Sequence, residues 1–271
     1  MSFTVLGAEG FIGGRVKARL AERGFEARTP PRAELPALSG DLGHVICAIG
    51  VTADFRRRPS DTIEAHVSLV GELLQRIRCQ SFLYLSSTRV YAHASSTHEE
   101  AALPVRPADP DELYNVSKLA GEAICLRQSA HSVRVARLSN VYGLEPRSEN
   151  FLPSLIRDAL DRGRILLRSA AGSAKDYIAD DAAADRLIDI ALGGKHRLYN
   201  VASGVNTRAG EIAEAIGRAA GASVELEPAA PEVRFAPIDV SRLRAEFRHE
   251  PSPLLADLPA LVAVYRRALR S

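Results

Sequence analysis

The chain has only three cysteines in 271 residues, Cys47, Cys79 and Cys125, and no two of them stand close together. An odd, scattered set offers neither a disulfide framework nor thiolate metal-ligand spacing, which implies a reduced, cytoplasmic protein. Cys47 lies in an apolar run and reads as a small buried hydrophobe. No apolar stretch approaches the roughly 20 residues of a membrane span. The N-terminus carries no basic region ahead of its first apolar residues, so neither an anchor nor a signal peptide is expected. Charge of one sign is lacking too. Against 35 Lys and Arg stand 33 Asp and Glu, a net charge of +2, which argues against nucleic acid or a membrane surface as partner. The one dense basic run, Arg56-Arg57-Arg58, reads as a solvated turn. Apart from His66, the histidines (His44, His93, His98, His131, His196 and His249) have no metal spacing and read as surface or structural residues; no metal site is expected. Internal repeats and low-complexity tails are absent as well.

What is present is the ordinary composition of a globular protein, 46% apolar and 25% charged. Apolar runs at 3–6, 25–29, 45–49, 82–85 and 133–138 read as strands. Helical spacing covers 12–23, 62–78 and 113–128, with Ile12, Val16 and Leu20 on one face of the first. This alternation predicts an α/β fold: a doubly wound parallel sheet with helices on both faces. The second half reads as helices at 151–160, 180–192, 209–220, from 241 and from 254 onward, with strands at 164–167 and 198–201. The expected organisation is a dinucleotide-binding domain over 1–148, rejoined by about 176–200, and a smaller C-terminal substrate-binding lobe over 149–271.

Gly7-Ala8-Glu9-Gly10-Phe11-Ile12-Gly13 follows the first strand and opens the first helix. The first glycine permits a tight turn, the second lets a pyrophosphate approach the backbone, and the third lets helix and strand pack closely. The helix N-terminus then offers free N–H groups and the positive end of its dipole. The spacing is GxxGxxG rather than GxGxxG, so its weight comes from its place just after an N-terminal strand.

Tyr114 and Lys118 stand at i and i+4, on one face of a helix. A phenol has an unperturbed pKa of about 10, too high for proton transfer at neutral pH. A nearby ammonium favours the phenolate, which gives this pair a chemical reason to be neighbours. Ser86-Ser87-Thr88 ends a predicted strand, where ligands bind in such sheets, and could supply a hydroxyl to hold a substrate oxygen.

Taken in order, GxxGFIG, Ser86-Ser87-Thr88-Arg89-Val90-Tyr91, Tyr-x-x-x-Lys and Arg137-Leu138-Ser139-Asn140-Val141-Tyr142-Gly143 resemble the extended short-chain dehydrogenase/reductases, specifically the NAD(P)-dependent epimerase/dehydratase family. Lys175-Asp176-Tyr177-Ile178-Ala179-Asp180-Asp181 resembles its later RDYIHVDD segment, and Leu198-Tyr199-Asn200-Val201-Ala202-Ser203-Gly204 its YNVGSG strand. The resemblance spans nearly the whole chain. It implies a Rossmann-type fold, Ser87, Tyr114 and Lys118 as catalytic residues, and Lys118 also on the nicotinamide ribose. It implies cofactor contacts from Gly7, Gly10, Phe11, Ile12 and Gly13, from Ala48, Ile49 and Gly50, which stand where the family has HLAA, and from His66 and Tyr114. His66 replaces the usual asparagine of an NVxGT helix, a departure that alters the proton route. Thr88, Asn140 and Lys175 fall at substrate positions, although the segment holding Lys175 is one residue shorter than the family pattern. The stretch between residues 29 and 45 is also abbreviated, as if a strand-helix unit were missing.

The resemblance further implies a nucleotide sugar as substrate, hydride and proton transfer as the chemistry, and a homodimer built on the helices at 62–78 and 113–128. The family's 4,6-dehydratases carry Asp-Glu after the catalytic threonine, whereas Thr88-Arg89 stands here, which disfavours dehydration. For the cofactor, NAD-specific folds place an acid at the end of the second strand. That position falls at Pro31, flanked by Arg28 and Arg32, which favours NADP while leaving NAD open. Two other readings stand beside this one: a carbonyl reductase for a non-sugar molecule, and a non-catalytic dinucleotide sensor.

Overall fold

The structure, a computed structural model, describes residues 1–52, 54–129 and 132–270. His131 therefore lies outside the described residues. The chain forms two compact units. One comprises Met1–Ser139, Asp180–Val201 and Asp239–His249, the other Asn140–Ala179, Ala202–Ile238 and Glu250–Ser271.

The first unit is built on a six-stranded sheet in the order Leu198–Val201, Val133–Leu138, Ser81–Ser87, His44–Cys47, Ser2–Leu6, Glu26–Arg28. Every pairing is parallel. Strands buried on both faces need continuous apolar sequence, and Val45, Ile46, Cys47, Phe82, Leu83 and Tyr84 are all fully buried. From the strand Ser2–Leu6 the chain first moves outward to Glu26–Arg28, then returns past its start to His44–Cys47 and continues the other way. Right-handed crossovers in opposite directions put helices on opposite faces. This is the doubly wound Rossmann-type arrangement, with its switch point between Ser2–Leu6 and His44–Cys47.

On one side, helices Phe11–Glu22 and Asp180–Gly193 run together, linked by a ladder of ion pairs: Arg15 with Asp181, Arg19 with Asp185 at 2.8 Å, and Arg23 with Asp189 at 2.9 Å. On the other, a helix over 59–76 packs on Leu113–Arg127. That helix differs from the expected 62–78. Pro59, with its preset φ, starts it three residues earlier. It ends at Arg76 because Ile77–Arg78 turns extended and pairs with Gly40–Asp41. Midway, Glu64–Ser68 forms a π turn. Between residues 28 and 44 only a 3₁₀ turn, Arg32–Ala37, and the two-residue strand Gly40–Asp41 intervene, so Glu26–Arg28 is the edge of the sheet.

The second unit has a three-stranded sheet, in which Ala174–Ala179 pairs parallel with Asn140–Tyr142 and antiparallel with Asn206–Arg208. A parallel pair joins Ser223–Leu226 to Arg164–Leu167. Helices Phe151–Arg162, Ala209–Ala220 and Leu254–Ala268 enclose a core of Ile156, Ile165, Ile212, Ile216, Leu258 and Tyr265. Among the described residues, no helix is long and apolar enough to cross a membrane.

Candidate active site

The glycine turn lies at the switch point. Gly7 has φ +80°, a conformation that favours glycine, and a Cβ there would stand 3.0 Å from the Ala48 backbone and the Ile49 nitrogen. A Cβ on Gly13 would fall 2.2 Å from the Gly7 carbonyl oxygen, so the helix can start this close to the turn only with glycine there. At Gly10 the nearest atom to an added Cβ is 3.4 Å away, ordinary contact. The fold does not require that glycine; an approaching ligand would. Gly10 is the N-cap of helix Phe11–Glu22 and no side chain caps it; the first turn contains no acid. The leading amides, with those of Phe11 and Ile12 among them, thus remain available to an anion.

The strand Ser81–Ser87 ends beside this turn's partner strand, His44–Cys47. Ser87 Oγ accepts the Arg89 amide at 3.2 Å and so caps a 3₁₀ turn over Thr88–Tyr91. A 3₁₀ turn at Pro110–Glu112, capped by Asp109, then launches helix Leu113–Arg127. Tyr114 and Lys118, one helical turn apart, are both buried, at 7% and 5% exposure. The Ser87 and Thr52 side chains both act on the Tyr114 phenol, and its ring packs on Phe55 at 5.6 Å.

The electrostatics differ from the sequence expectation. Burial pushes the Tyr114 phenol above its ordinary value, opposed by hydrogen bonding to Ser87, the charge of Arg89 and hydrogen bonding to Thr52. The cation acting on the phenol is Arg89, whose Cζ lies 5.4 Å from the ring centroid. Lys118 Nζ lies 5.9 Å away and donates to the Leu85 carbonyl at 2.9 Å. Burial brings the Lys118 ammonium down to about 8, offset in part by Cys47 and Glu122. The i,i+4 spacing identified the pair correctly as neighbours but did not show that the lysine is held toward the strand.

His66 sits in the π turn, fully buried. Its Nε2 accepts the Val51 amide at 3.1 Å. The ring proton therefore resides on Nδ1 and is directed at Ser117 Oγ, 2.9 Å away; Ser117 Oγ in turn donates to the Tyr114 carbonyl at 2.9 Å. Burial, reinforced by the Lys118 charge, lowers the imidazole to about 3, so the ring is neutral. His66 has both ring nitrogens engaged within the protein, so any contact it makes with a cofactor would be through its ring face or edge. It braces the loop bearing Gly50 and Val51 against the tyrosine helix. A Cβ on Gly50 would meet His66 Nε2 at 3.1 Å and Lys118 Nζ at 3.4 Å.

Beneath Ser87 lies a buried polar network that the sequence reading did not find. Glu122, one turn beyond Lys118, accepts from Ser86 Oγ at 2.5 Å and from Arg137 at 2.6–3.2 Å. Arg137 also donates to Tyr91 Oη at 2.7 Å, and Tyr91 donates to Asn200 at 2.8 Å. The pairing joins a helix to a strand, so no local spacing announced it.

The family model for the NAD dependent epimerase/dehydratase family matches residues 3–202. The chain belongs to that family. A dTDP-glucose 4,6-dehydratase from Streptomyces griseus is 30% identical over 199 residues, 69% of this chain and 59% of that protein, so the chain matches under two thirds of that relative. A UDP-glucose 4-epimerase from Mycolicibacterium smegmatis is 28% identical over 237 residues, 79% of this chain and 72% of its own length. Among solved structures, RMD from Pseudomonas aeruginosa complexed with NADPH superposes with a TM-score of 0.82 at 24% identity, covering 98% of this chain and 99% of that one.

The glycine cradle fits the dinucleotide of this epimerase/dehydratase family: Gly7 and Gly13 close the turn, Gly10 leaves its surface open, and the helix amides are uncapped. Ala48 and Ile49 are half-buried and Gly50 is exposed along the same edge. Arg28 ends the edge strand and Arg32 begins the next 3₁₀ turn; both are exposed, and neither pairs with a carboxylate among the described residues. Thr88 is buried beside Ser87. Asn140 and Lys175 belong to the second unit, where Asn140 Nδ2 donates to the Asp176 carbonyl at 2.7 Å and Lys175 Nζ lies 5.8 Å from the Phe235 ring. The arginines Arg56, Arg57 and Arg58 are exposed; Arg56 pairs with Asp111 and Arg58 with Asp61.

Proposed function

We propose that the protein is an NAD(P)-dependent epimerase or reductase acting on a nucleotide sugar through Tyr114, Lys118 and Ser87. The observation that carries this reading is the meeting of the Ser87 and Tyr114 hydroxyls at the C-terminal end of a parallel sheet, one helical turn from a buried lysine. In it Tyr114 exchanges a proton with a carbinol or ketone oxygen, and Ser87 donates a hydrogen bond to that oxygen as charge develops. Lys118 supplies a buried positive charge and holds the nicotinamide ribose. Gly7, Gly10 and Gly13, with the amides of Phe11 and Ile12, hold the pyrophosphate; Ala48, Ile49 and Gly50 border the nicotinamide half. The bound nicotinamide supplies a two-electron acceptor and donor at the carbinol carbon.

Thr88-Arg89 in place of an acidic pair disfavours dehydration, because no carboxylate follows Ser87 to take or deliver a second proton. Asn140 and Lys175 are assigned to the sugar-nucleotide side, and the second unit to substrate binding. Arg28 and Arg32, uncommitted in the protein, favour NADP through bidentate contact with a 2′-phosphate. By family resemblance we assign it as a cytoplasmic homodimer.

The test is turnover with NAD(H) and NADP(H) against uridine- and thymidine-diphosphate sugars and a set of small ketones. Tyr114→Phe should bind cofactor normally and lose at least about 10²-fold in activity. Turnover of ketones but not of sugars would favour a carbonyl reductase. Undiminished turnover in Tyr114→Phe, or none with any substrate while cofactor still binds, counts against the assignment.

A further inference from the structure

We infer that Arg89 recognises a carboxylate on the substrate, carried close to the carbon whose oxygen meets Tyr114. The inference rests on the reading of Tyr114 given above and adds a substrate class to it.

Ser87 fixes the place of Arg89 by accepting its amide, so the side chain springs from the turn that carries the reacting-end hydroxyl. The guanidinium lies against two rings at once, 5.2 Å from the Phe55 centroid and 5.4 Å from that of Tyr114. It is half-buried. Among the described residues its one hydrogen bond goes to a neutral acceptor, the Asp111 backbone carbonyl, at 3.2 Å. The Asp111 carboxylate is already held by Arg56, whose Nε and Nη2 each donate to one of its oxygens. Among the described residues no carboxylate forms an ion pair with Arg89; the Asp111 charge acts on it only from beyond ion-pair distance. The other long cation nearby, Lys118, is bound to the Leu85 carbonyl.

A partly desolvated guanidinium is costly to leave without a counter-charge. It has five N–H donors in a fixed fork, and one protein acceptor leaves most of the fork open. A planar carboxylate matches that fork, and the match is bidentate. The position decides which anion. A phosphate of a nucleotide sugar is attached at the anomeric carbon, whereas Arg89 stands at the phenol that handles the reacting carbinol. A carboxylate on the ring carbon next to that carbinol places its charge at the correct end of the molecule. The Phe55 ring, with Arg56 Cζ 4.6 Å and Arg89 Cζ 5.2 Å from its centroid, packs against the guanidinium before substrate arrives.

The experiment is calorimetric titration of the cofactor-loaded protein with UDP-glucuronic acid and UDP-glucose, and with the thymidine-diphosphate pair. The two sugars of each pair share base and diphosphate and differ only in the carboxylate. Wild type should bind the uronate at least about 10-fold tighter than the neutral sugar, the scale of one charge-assisted bidentate contact. Arg89→Gln should remove that preference and leave the neutral sugar within about 3-fold. Arg89→Lys, a point charge without the fork, should keep only part of it. Cofactor affinity and thermal unfolding of the variants report whether they fold. Equal affinity of wild type for both sugars overturns the inference. Equal weakening of both by Arg89→Gln also overturns it and makes Arg89 a contact to the shared diphosphate. In both cases the nucleotide-sugar reading survives, since sugars bind; failure of all four to bind removes both.

Discussion

A side-chain carbon on Gly13 would fall 2.2 Å from the carbonyl oxygen of Gly7, whereas one on Gly10, between them, would stand 3.4 Å from that same oxygen. The two glycines therefore serve different ends, one the packing of the fold and the other the surface that faces a ligand.

Substitution should separate them. Gly13→Ala should destabilise the protein by roughly 1–3 kcal/mol through overpacking and abolish cofactor binding with it. Gly10→Ala should leave stability within about 0.5 kcal/mol and weaken dinucleotide binding alone. Urea unfolding and cofactor titration of the two variants check this. Normal affinity in Gly10→Ala would show that no phosphate sits over that residue.

Lys118 sets a pH dependence. Its ammonium titrates at about 8, below the ordinary 10.5, because it is buried. The charge is present below pH 8 and lost above it, so kcat/KM should decline as pH rises through that value. Lys118→Met should lack this limb and bind cofactor more weakly. The stability sign is the reverse. A depressed lysine opposes folding while it is charged, so the wild type should gain stability from this residue between pH 8 and 10.5, and Lys118→Met should show no such gain.

His66 gives a second window of the same sign at lower pH. Its folded value of about 3 lies below the ordinary 6.5, so the unfolded chain binds a proton that the folded chain refuses. Stability contributed by the neutral ring is complete above 6.5 and is lost as pH falls toward 3. Between pH 7 and pH 5 the loss should be about 2 kcal/mol. In His66→Asn, which keeps an acceptor for the Val51 amide, the decline over that interval should be smaller by that amount. Parallel declines in the two proteins would place the imidazole in water.

For the cofactor, wild type should bind NADP more tightly than NAD, and Arg32→Ala should lose most of the difference. Titrating both cofactors into both proteins decides it. NAD binding as tight as NADP to the wild type refutes the preference, and unchanged NADP affinity in Arg32→Ala exonerates that arginine.

Much of the sheet could be read from the sequence because its strands are buried on both faces and their apolar runs are continuous; the strands Val133–Leu138 and Leu198–Val201 occupy their expected bounds. Gly7, Ser87, Tyr114 and Lys118 were likewise visible, each tied to a local pattern of turn, strand end or helix spacing. The strands Asn140–Tyr142, Ala174–Ala179 and Asn206–Arg208 were not, since their pairing comes from distant segments and the first and last, at three residues each, carry no periodicity. The same reason hid the roles of Thr52 and Phe55, which reach Tyr114 from a loop, and of Arg89, which reaches it from the 3₁₀ turn Thr88–Tyr91. Where the Lys118 ammonium rests was hidden for a related reason. Helical spacing fixes which side of the helix a lysine emerges from, but the Leu85 carbonyl decides where its ammonium rests.

The chain of hydrogen bonds from Val51 through His66 and Ser117 to the Tyr114 carbonyl has a polarity. Every donor along it points the same way, and it ends on an amide oxygen that carries no exchangeable proton. Such a line transmits position but conducts nothing: a proton entering at Ser117 has no onward acceptor, and one arriving at His66 Nε2 finds the lone pair occupied by an amide. The imidazole that replaces the family's asparagine thus works as an insulator on the inner side of the tyrosine. On the proposed role of Tyr114, a proton exchanged at the phenol would travel on the side where Ser87 and Thr52 act on it.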